Sequence, residues 1–362
     1  MLVTPELWKG RRVLVTGHTG FKGAWLSLWL DEMGADVTGI ALAPPTDPSI
    51  FELAHLDRTL DHKELDIRNP SAVRDAVAHC DPEVVFHLAA QPLVRESYDC
   101  PAETWATNVM GTMHLLDACR DRTSLKAIVC VTSDKCYENR EWVWPYRESD
   151  PMGGHDPYSS SKGAAELAVA SMRKSFFGHE DAAGICSVRA GNVIGGGDWA
   201  KDRLVPDIIA ALQRGEPPLI RSPDSIRPWQ HVLEALHGYL LIAERLVSGD
   251  RTAATAWNFG PEDADTQPVR WIADRLVDAW GGNIGWTDAA QPGHHEAKIL
   301  KLDCSKARSE LGWRPRLALA EALEYIVAWH KTVGNGANAR DVTLSQIRAF
   351  TGTSSPLRQA AE

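Results

Sequence analysis

Two side chains four residues apart carry the first chemical signal in this sequence. Tyr158 and Lys162 stand at the start of a helix predicted from 159 to about 177, where an i,i+4 spacing puts both on one face. An ammonium beside a phenol favours the phenolate and is expected to lower its ordinary pKa of about 10, which suits Tyr158 to general-base work. Ser133, Asp134 and Lys135 form a second cluster, directly after an apolar run at 127–132 that reads as a strand. There a hydroxyl can hold a substrate hydroxyl, a carboxyl with a raised pKa can act as an acid, and an amine can abstract or steer a proton. Taken alone, Ser-Asp after a strand is also an ordinary turn. The spacing of Tyr158 and Lys162 alone proves little, so the surrounding elements must decide.

Those elements read as a doubly wound α/β fold. An apolar run (Val13, Leu14, Val15) leads into Thr16-Gly17-His18-Thr19-Gly20-Phe21-Lys22-Gly23, then an amphipathic segment through Glu32 and a second strand at 37–42. Three glycines spaced GxxGxxG between a strand and a helix permit a tight turn, and they let the backbone approach a pyrophosphate that the helix amides then stabilise. The competing reading is a purely structural turn. Residues 84–87 read as a buried strand and 107–118 as a helix, so the run to Ser133 should end at the carboxyl edge of a parallel sheet, where such folds bind ligands. The acidic residue expected at the end of the second strand is missing from Leu42-Ala43-Pro44-Pro45-Thr46, which leaves NAD against NADP undecided by that rule. Asp66 either hydrogen-bonds an adenine amine or caps the helix beginning near Pro70.

Residues 1–190 are therefore expected to form the dinucleotide-binding domain, completed by part of 230–260. A smaller mixed lobe is expected over 191–350, with 351–362 as a frayed tail. The second lobe should hold a nucleotide diphosphate, for which Arg189, Arg203, Arg221 and Arg227 are candidates because guanidinium binds it bidentately, and Asn192 is a candidate for a sugar or phosphate oxygen. A single arginine is more often a solvated charge; Arg227 stands out because Pro228-Trp229 fix its surroundings. Trp229 is the indole singled out for stacking among 14 tryptophans, most of which should fill core.

The 362 residues carry 38 Lys+Arg against 48 Asp+Glu, a formal net charge of −10, so no global positive field exists to hold nucleic acid. The apolar stretch at 24–30 falls far short of the roughly 18 residues a membrane span needs, and the N-terminal residues 1–12 lack a signal-peptide core. A cytoplasmic protein with no membrane partner is expected. Seven cysteines without CxxC spacing argue for reduced thiols, and no histidine set offers a third metal ligand, so no metal is expected.

Thr16 to Gly23, His87-Leu88-Ala89-Ala90, Asn108 with Gly111-Thr112, the strand ending in Ser133, and Tyr158 with Lys162 together resemble the extended short-chain dehydrogenase/reductase family of nucleotide-sugar enzymes. Nearly the whole chain takes part. The glycine turn, Ser133-Asp134-Lys135, residues 191–199 and Arg227-Pro228-Trp229-Gln230-His231-Val232 resemble its CDP-hexose branch. The resemblance implies NAD on Gly17, His18, Thr19, Gly20, Phe21 and Gly23, with Asp66 and Ile67 beside the adenine. It further implies that Leu88, Ala89, Ala90 and Asn108 line the cofactor and that Ser133, Tyr158 and Lys162 form the redox triad. By the same resemblance His294 and Glu296 contact the nucleotide, the substrate is CDP-glucose, the reaction is an intramolecular redox dehydration, and the protein is a homodimer. The dTDP-sugar relatives carry Asp-Glu where this chain has Asp134-Lys135, so Asp134 is expected as acid while the base that removes the C5 proton, with Lys135 the candidate, stays open. An epimerase or reductase of the same family, or a dinucleotide-sensing protein without catalysis, remains the alternative.

Overall fold

Short apolar runs rich in Val and Ile, bounded by turn residues, supply the strands of the fold. The computed structural model describes residues 2–282, 284–289 and 299–352. Its strands are β1 (Arg12–Thr16), β2 (Asp36–Ala41), β3 (Asp61–Glu64), β4 (Val84–His87), β5 (Ala127–Val131), β6 (Gly184–Ala190), β7 (Asn192–Ile194), β8 (Leu219–Ile220), β9 (Trp229–His231), β10 (Ala256–Phe259) and β11 (Thr287–Asp288). Seven of them make one parallel sheet in the order β10-β6-β5-β4-β1-β2-β3. The order reverses between β1 and β4, the switch point at which doubly wound sheets open a crevice. β7 pairs with β9, and β8 with β11, as two small ribbons beyond the sheet.

The helices are α1 (Phe21–Glu32), α2 (Ile50–Leu53), α3 (Pro70–Cys80), α4 (Val94–Asp99), α5 (Pro101–Trp105), α6 (Thr112–Cys119), α7 (Pro157–Ser175), α8 (Leu204–Gln213), α9 (Val232–Val247), α10 (Val269–Trp280), α11 (Ser305–Glu310), α12 (Leu319–Gly334) and α13 (Ala339–Thr351). Side chains alternate across the sheet, so Val13, Val15, Phe86 and Val129 join Trp25, Trp29, Leu233 and Leu236 of α1 and α9 on one face. Leu14, Val85 and Ile128 meet Val73, Leu115 and Val169 of α3, α6 and α7 on the other. A third core, with Ile208, Ile272 and Ile326 from α8, α10 and α12, lies under the small ribbons.

The continuous helix expected over 107–118 is divided. Residues Ala106–Gly111 form a wide π turn before α6 begins. Tertiary contacts hold this turn: Asn108 is held by Gln91 and Ser161, and Gly111 sits so close to Ile67 that a Cβ would lie 2.5 Å from Ile67 Cδ1. α13 ends at Thr351 on Gly352, in the left-handed conformation that closes helices; the rest of the expected tail lies outside the described residues.

Candidate active site

The carboxyl ends of β4, β5 and β6 and the start of α1 border one cleft of about 560 Å³, within the size range of small-molecule sites. Ser133, Asp134 and Lys135 enter it directly after β5, and Tyr158 and Lys162 face it from the opening turns of α7. The start of α7 is fixed by Pro157 at its first position and by Asp156, which accepts from Ser159 N at 2.9 Å. The Tyr158 amide donates to Ser97 Oγ at 3.1 Å. One turn past Lys162, Glu166 accepts from Thr132 Oγ1 at 2.5 Å, which ties α7 to the residue preceding Ser133.

Ser133 Oγ donates to Asp134 Oδ1 at 3.0 Å and stands within hydrogen-bonding reach of the Tyr158 phenol. Asp134 is buried, its Oδ2 has no hydrogen-bond partner, and burial pushes its pKa up despite Lys135, Ser133 and Arg227 nearby. The carboxyl is thus biased toward the protonated form that an acid needs. Lys135 N donates to Ser133 Oγ at 3.2 Å while its side chain lines the cleft.

The expected lowering of the Tyr158 pKa is not what the structure shows. Burial pushes the phenol up to about 12, the Ser133 hydrogen bond only partly opposing it. Lys162 Nζ lies 6.0 Å from the Tyr158 ring centroid, and burial lowers its own pKa to about 8. Desolvation outweighs the ion–phenol attraction at that separation.

The glycine turn is built for backbone contact. At Gly17 φ is +77°, and a Cβ would lie 2.7 Å from Ala89 N; at Gly23 it would lie 2.1 Å from Gly17 O. α1 begins after Gly20 with neither a side-chain cap nor an acidic first turn, so its leading amides face an incoming anion without a competing carboxylate. These features fit the pyrophosphate of NAD. Thr16 Oγ1 accepts from Leu88 N and Ala89 N and meets His87 Nδ1 at 2.7 Å, locking β4's exit loop against the turn. Phe21, Leu88 and Ala90 line the cleft.

The other residues expected at the cofactor have partners within the chain. His18 is buried between Phe51 and His62, its Nε2 2.7 Å from His62 Nδ1, and burial lowers its pKa to about 4. Thr19 Oγ1 donates to Leu42 O at 2.9 Å. Asn108 does not line the cleft: its amide spans Gln91 N, Gln91 O and Ser161 Oγ, so it positions the β4 loop on α7. Of the two readings of Asp66, the helix cap is overturned: Asn69 caps α3, and Asp66 is held by Arg68 N and the Arg68 guanidinium. The Ile67 side chain is buried under Gly111 in the core.

Asn192, Arg203, Arg221, Arg227 and Trp229 all reach the same cleft from the chain beyond β6. Arg203 bonds Asp198 at 3.2 Å, Arg221 bonds Asp202 at 3.1 Å, and Arg227 Nη1 donates to Ile226 O at 2.9 Å. Trp229 is buried on β9 with Nε1 unpartnered. Arg189, in contrast, lies outside this cleft: it is buried against Glu166 at 2.7 Å and donates to Tyr137 Oη, in a separate cavity. His294 and Glu296 lie outside the described residues.

Lys22, Arg95 and Asp198 are among the charged residues that line the cleft without being expected there. Lys22 sits inside the glycine motif, and its place in the first turn of α1 is the sequence signal for it. Arg95 follows the His87-Leu88-Ala89-Ala90 loop and pairs with Asp202 at 3.1 Å, and Asp198 follows the glycines at 195–197. Among the described residues no group of histidine, cysteine and acidic side chains is arranged to hold a metal, and no helix is long and apolar enough to cross a membrane.

A parallel seven-stranded sheet with a glycine turn at its switch point and Ser133, Tyr158 and Lys162 at one cleft defines a protein of the extended short-chain dehydrogenase/reductase type. The chain belongs to the GDP-mannose 4,6-dehydratase family, whose model matches residues 14–326. It is 54% identical over 334 residues to the CDP-glucose 4,6-dehydratase of Salmonella typhimurium, covering 91% of this chain and 93% of the relative. The dTDP-glucose 4,6-dehydratase of Streptomyces antibioticus is 30% identical over 273 residues, covering 74% of this chain and 75% of the relative. The fold is also that of DesIV, a dTDP-glucose 4,6-dehydratase from Streptomyces venezuelae solved with NAD bound, at a TM-score of 0.74 and 22% identity over 88% of this chain and 97% of that one. UDP-glucose 4-epimerase from Thermotoga maritima matches at a TM-score of 0.76 and 23% identity, covering 89% of this chain and 99% of that one.

Proposed function

We propose that the chain is a cytoplasmic, NAD-dependent enzyme that dehydrates CDP-glucose to CDP-4-keto-6-deoxyglucose. The observation that carries the reading is Asp134: a buried carboxyl biased toward protonation, one residue from Ser133 and in the same cleft as Tyr158 and Lys162. Epimerases and reductases on this scaffold need the hydroxyl, the phenol and the lysine but have no use for that acid. The choice of cytidine is supported by the Salmonella typhimurium relative.

NAD, which the glycine turn would hold, would supply a hydride acceptor for C4 of the hexose and a donor back to C6, with none consumed. Tyr158 takes the proton of the C4 hydroxyl, and Ser133 Oγ holds the same oxygen. With C4 a ketone, the C5 hydrogen becomes acidic enough for a modest base. We assign that proton to Lys135, at the cleft wall beside Asp134. Asp134 delivers its proton to the C6 hydroxyl, which leaves as water. Arg203, Arg221 and Arg227 suit the diphosphate, and Trp229 and Asn192 the sugar side. Exposed Trp105, Met110 and Leu167 near α5 and α7 suit pairing of two copies.

The test is to incubate the protein with CDP-glucose deuterated at C4. A 4-keto-6-deoxy product with the label at C6 supports the proposal. A C4-inverted sugar points to an epimerase, and unchanged substrate to a binding protein.

A further inference from the structure

Lys22 lies where the two ends of the cleft meet. Its backbone belongs to the first turn of α1, the pyrophosphate end, while its side chain lines the cavity shared by Ser133, Asp134, Tyr158 and Lys162. Four charged groups act on it: Lys162 from α7, Arg203 from the segment before α8, Asp134 from the turn after β5, and Asp198 from the loop after β7. Neither acid pairs with it. Asp198 is taken by Arg203 Nη1 at 3.2 Å and by Ala200 N at 3.0 Å, and Asp134 accepts from Ser133. Among the described residues neither Lys22 nor Lys162 has an ion-pair partner within 4.0 Å.

We propose that Lys22 is a positioning charge that makes the redox end of the cleft disfavour the oxidised, cationic nicotinamide relative to the reduced, neutral one. The inference rests on reading the cleft as an NAD site. In the oxidation step a hydride leaves C4 of the hexose for the nicotinamide while the hydroxyl proton goes to Tyr158, so the C4 alcohol becomes a ketone and the ring loses its positive charge. A fixed ammonium nearby repels the ring before that step and not after it. The bias pulls an otherwise unfavourable oxidation forward and holds the reduced cofactor in place until its hydride returns to C6.

The protein reports the same potential on Lys22 itself. Burial, Lys162 and Arg203 lower its pKa to about 7, so a positive charge is costly at this point. The negative pyrophosphate at the adjoining helix start restores its protonation when a dinucleotide binds.

The experiment measures dissociation constants of NAD and NADH separately, by calorimetry at pH 6.5, for the native protein, Lys22→Met and Lys22→Arg. Removing a poorly solvated, unpaired ammonium should leave the fold intact, and circular dichroism checks this. Lys22→Gln provides a second neutral variant if the Met side chain disturbs packing. The expected result is a preference for NADH in the native protein that falls about tenfold in Lys22→Met, equivalent to about 30 mV for a two-electron couple, and persists in Lys22→Arg. Equal weakening of both ligands would make Lys22 a pyrophosphate anchor and overturn the inference, as would an unchanged ratio. Absence of binding by either dinucleotide to the native protein would instead refute the NAD reading beneath it.

Discussion

Glu166 offers a sharp test of how the site is held together. It is 4% exposed on α7, and its Oε2 accepts from Arg189 Nη2 at 2.7 Å and Ser187 Oγ at 2.8 Å while Oε1 accepts from Thr132 Oγ1. Glu166→Ala would strip a buried guanidinium of its counter-charge, with Arg189 Nε already lacking a hydrogen-bond partner. Breaking one side of a buried pair costs about 3–5 kcal/mol. For a chain of this size that corresponds to a fall in Tm of roughly 4–7 °C. Burial raises the Glu166 pKa, but Arg189 and the three hydrogen bonds outweigh it, leaving the carboxyl below its ordinary value of 4.5. A depressed folded-state pKa gives stability that is present above 4.5 and lost as pH falls through the lowered value. The gap between native and variant should therefore be full at pH 7 and shrink in acid. Thermal unfolding followed by circular dichroism across that range is the assay. Replacing both partners, as in Glu166→Leu with Arg189→Met, should recover most of the loss because no charge is left stranded. A single variant that loses less than about 2 °C, or a gap that stays constant into strong acid, would refute the reasoning.

Tyr158→Phe should abolish ketone formation and the accompanying absorbance of reduced cofactor; because burial holds the phenol up at about 12, native turnover should rise with pH, and a flat profile from about pH 6 to 9 would remove Tyr158 as the base. Asp134→Asn should keep the first oxidation but slow water loss by about 10²–10⁴-fold, so that enzyme-bound reduced cofactor accumulates in stopped flow. The same variant should be more stable than the native protein at neutral pH: a carboxyl whose folded pKa is raised costs stability as pH climbs above 3.8, and the amide escapes that cost. Gly17→Ala combines a φ of +77° with a Cβ 2.7 Å from Ala89 N, so a lower Tm and weakened dinucleotide binding are expected, and unchanged values of both would show that the turn adapts.

Several features were fixed by local chemistry and were legible without coordinates. The apolar run before Gly17, the glycines that let β1 turn tightly into α1, and the cluster that ends β5 depend on backbone freedom and hydrophobic period, which residue types encode directly. The i,i+4 spacing put Tyr158 and Lys162 on one face for the same reason. What the chain order cannot express is desolvation and the competition among distant partners. Burial sets the Tyr158 phenol high, Asn69 rather than Asp66 caps α3, and Asn108 serves the Gln91 loop instead of the cleft. Arg189 of β6 is drawn to Glu166 of α7, whereas Lys22, set among the glycines, lines the cleft. Each of those outcomes depends on which groups lose water together. Only the packed tertiary structure decides that, because the free energy of a charge depends on everything within several ångströms and hardly at all on its neighbours in sequence.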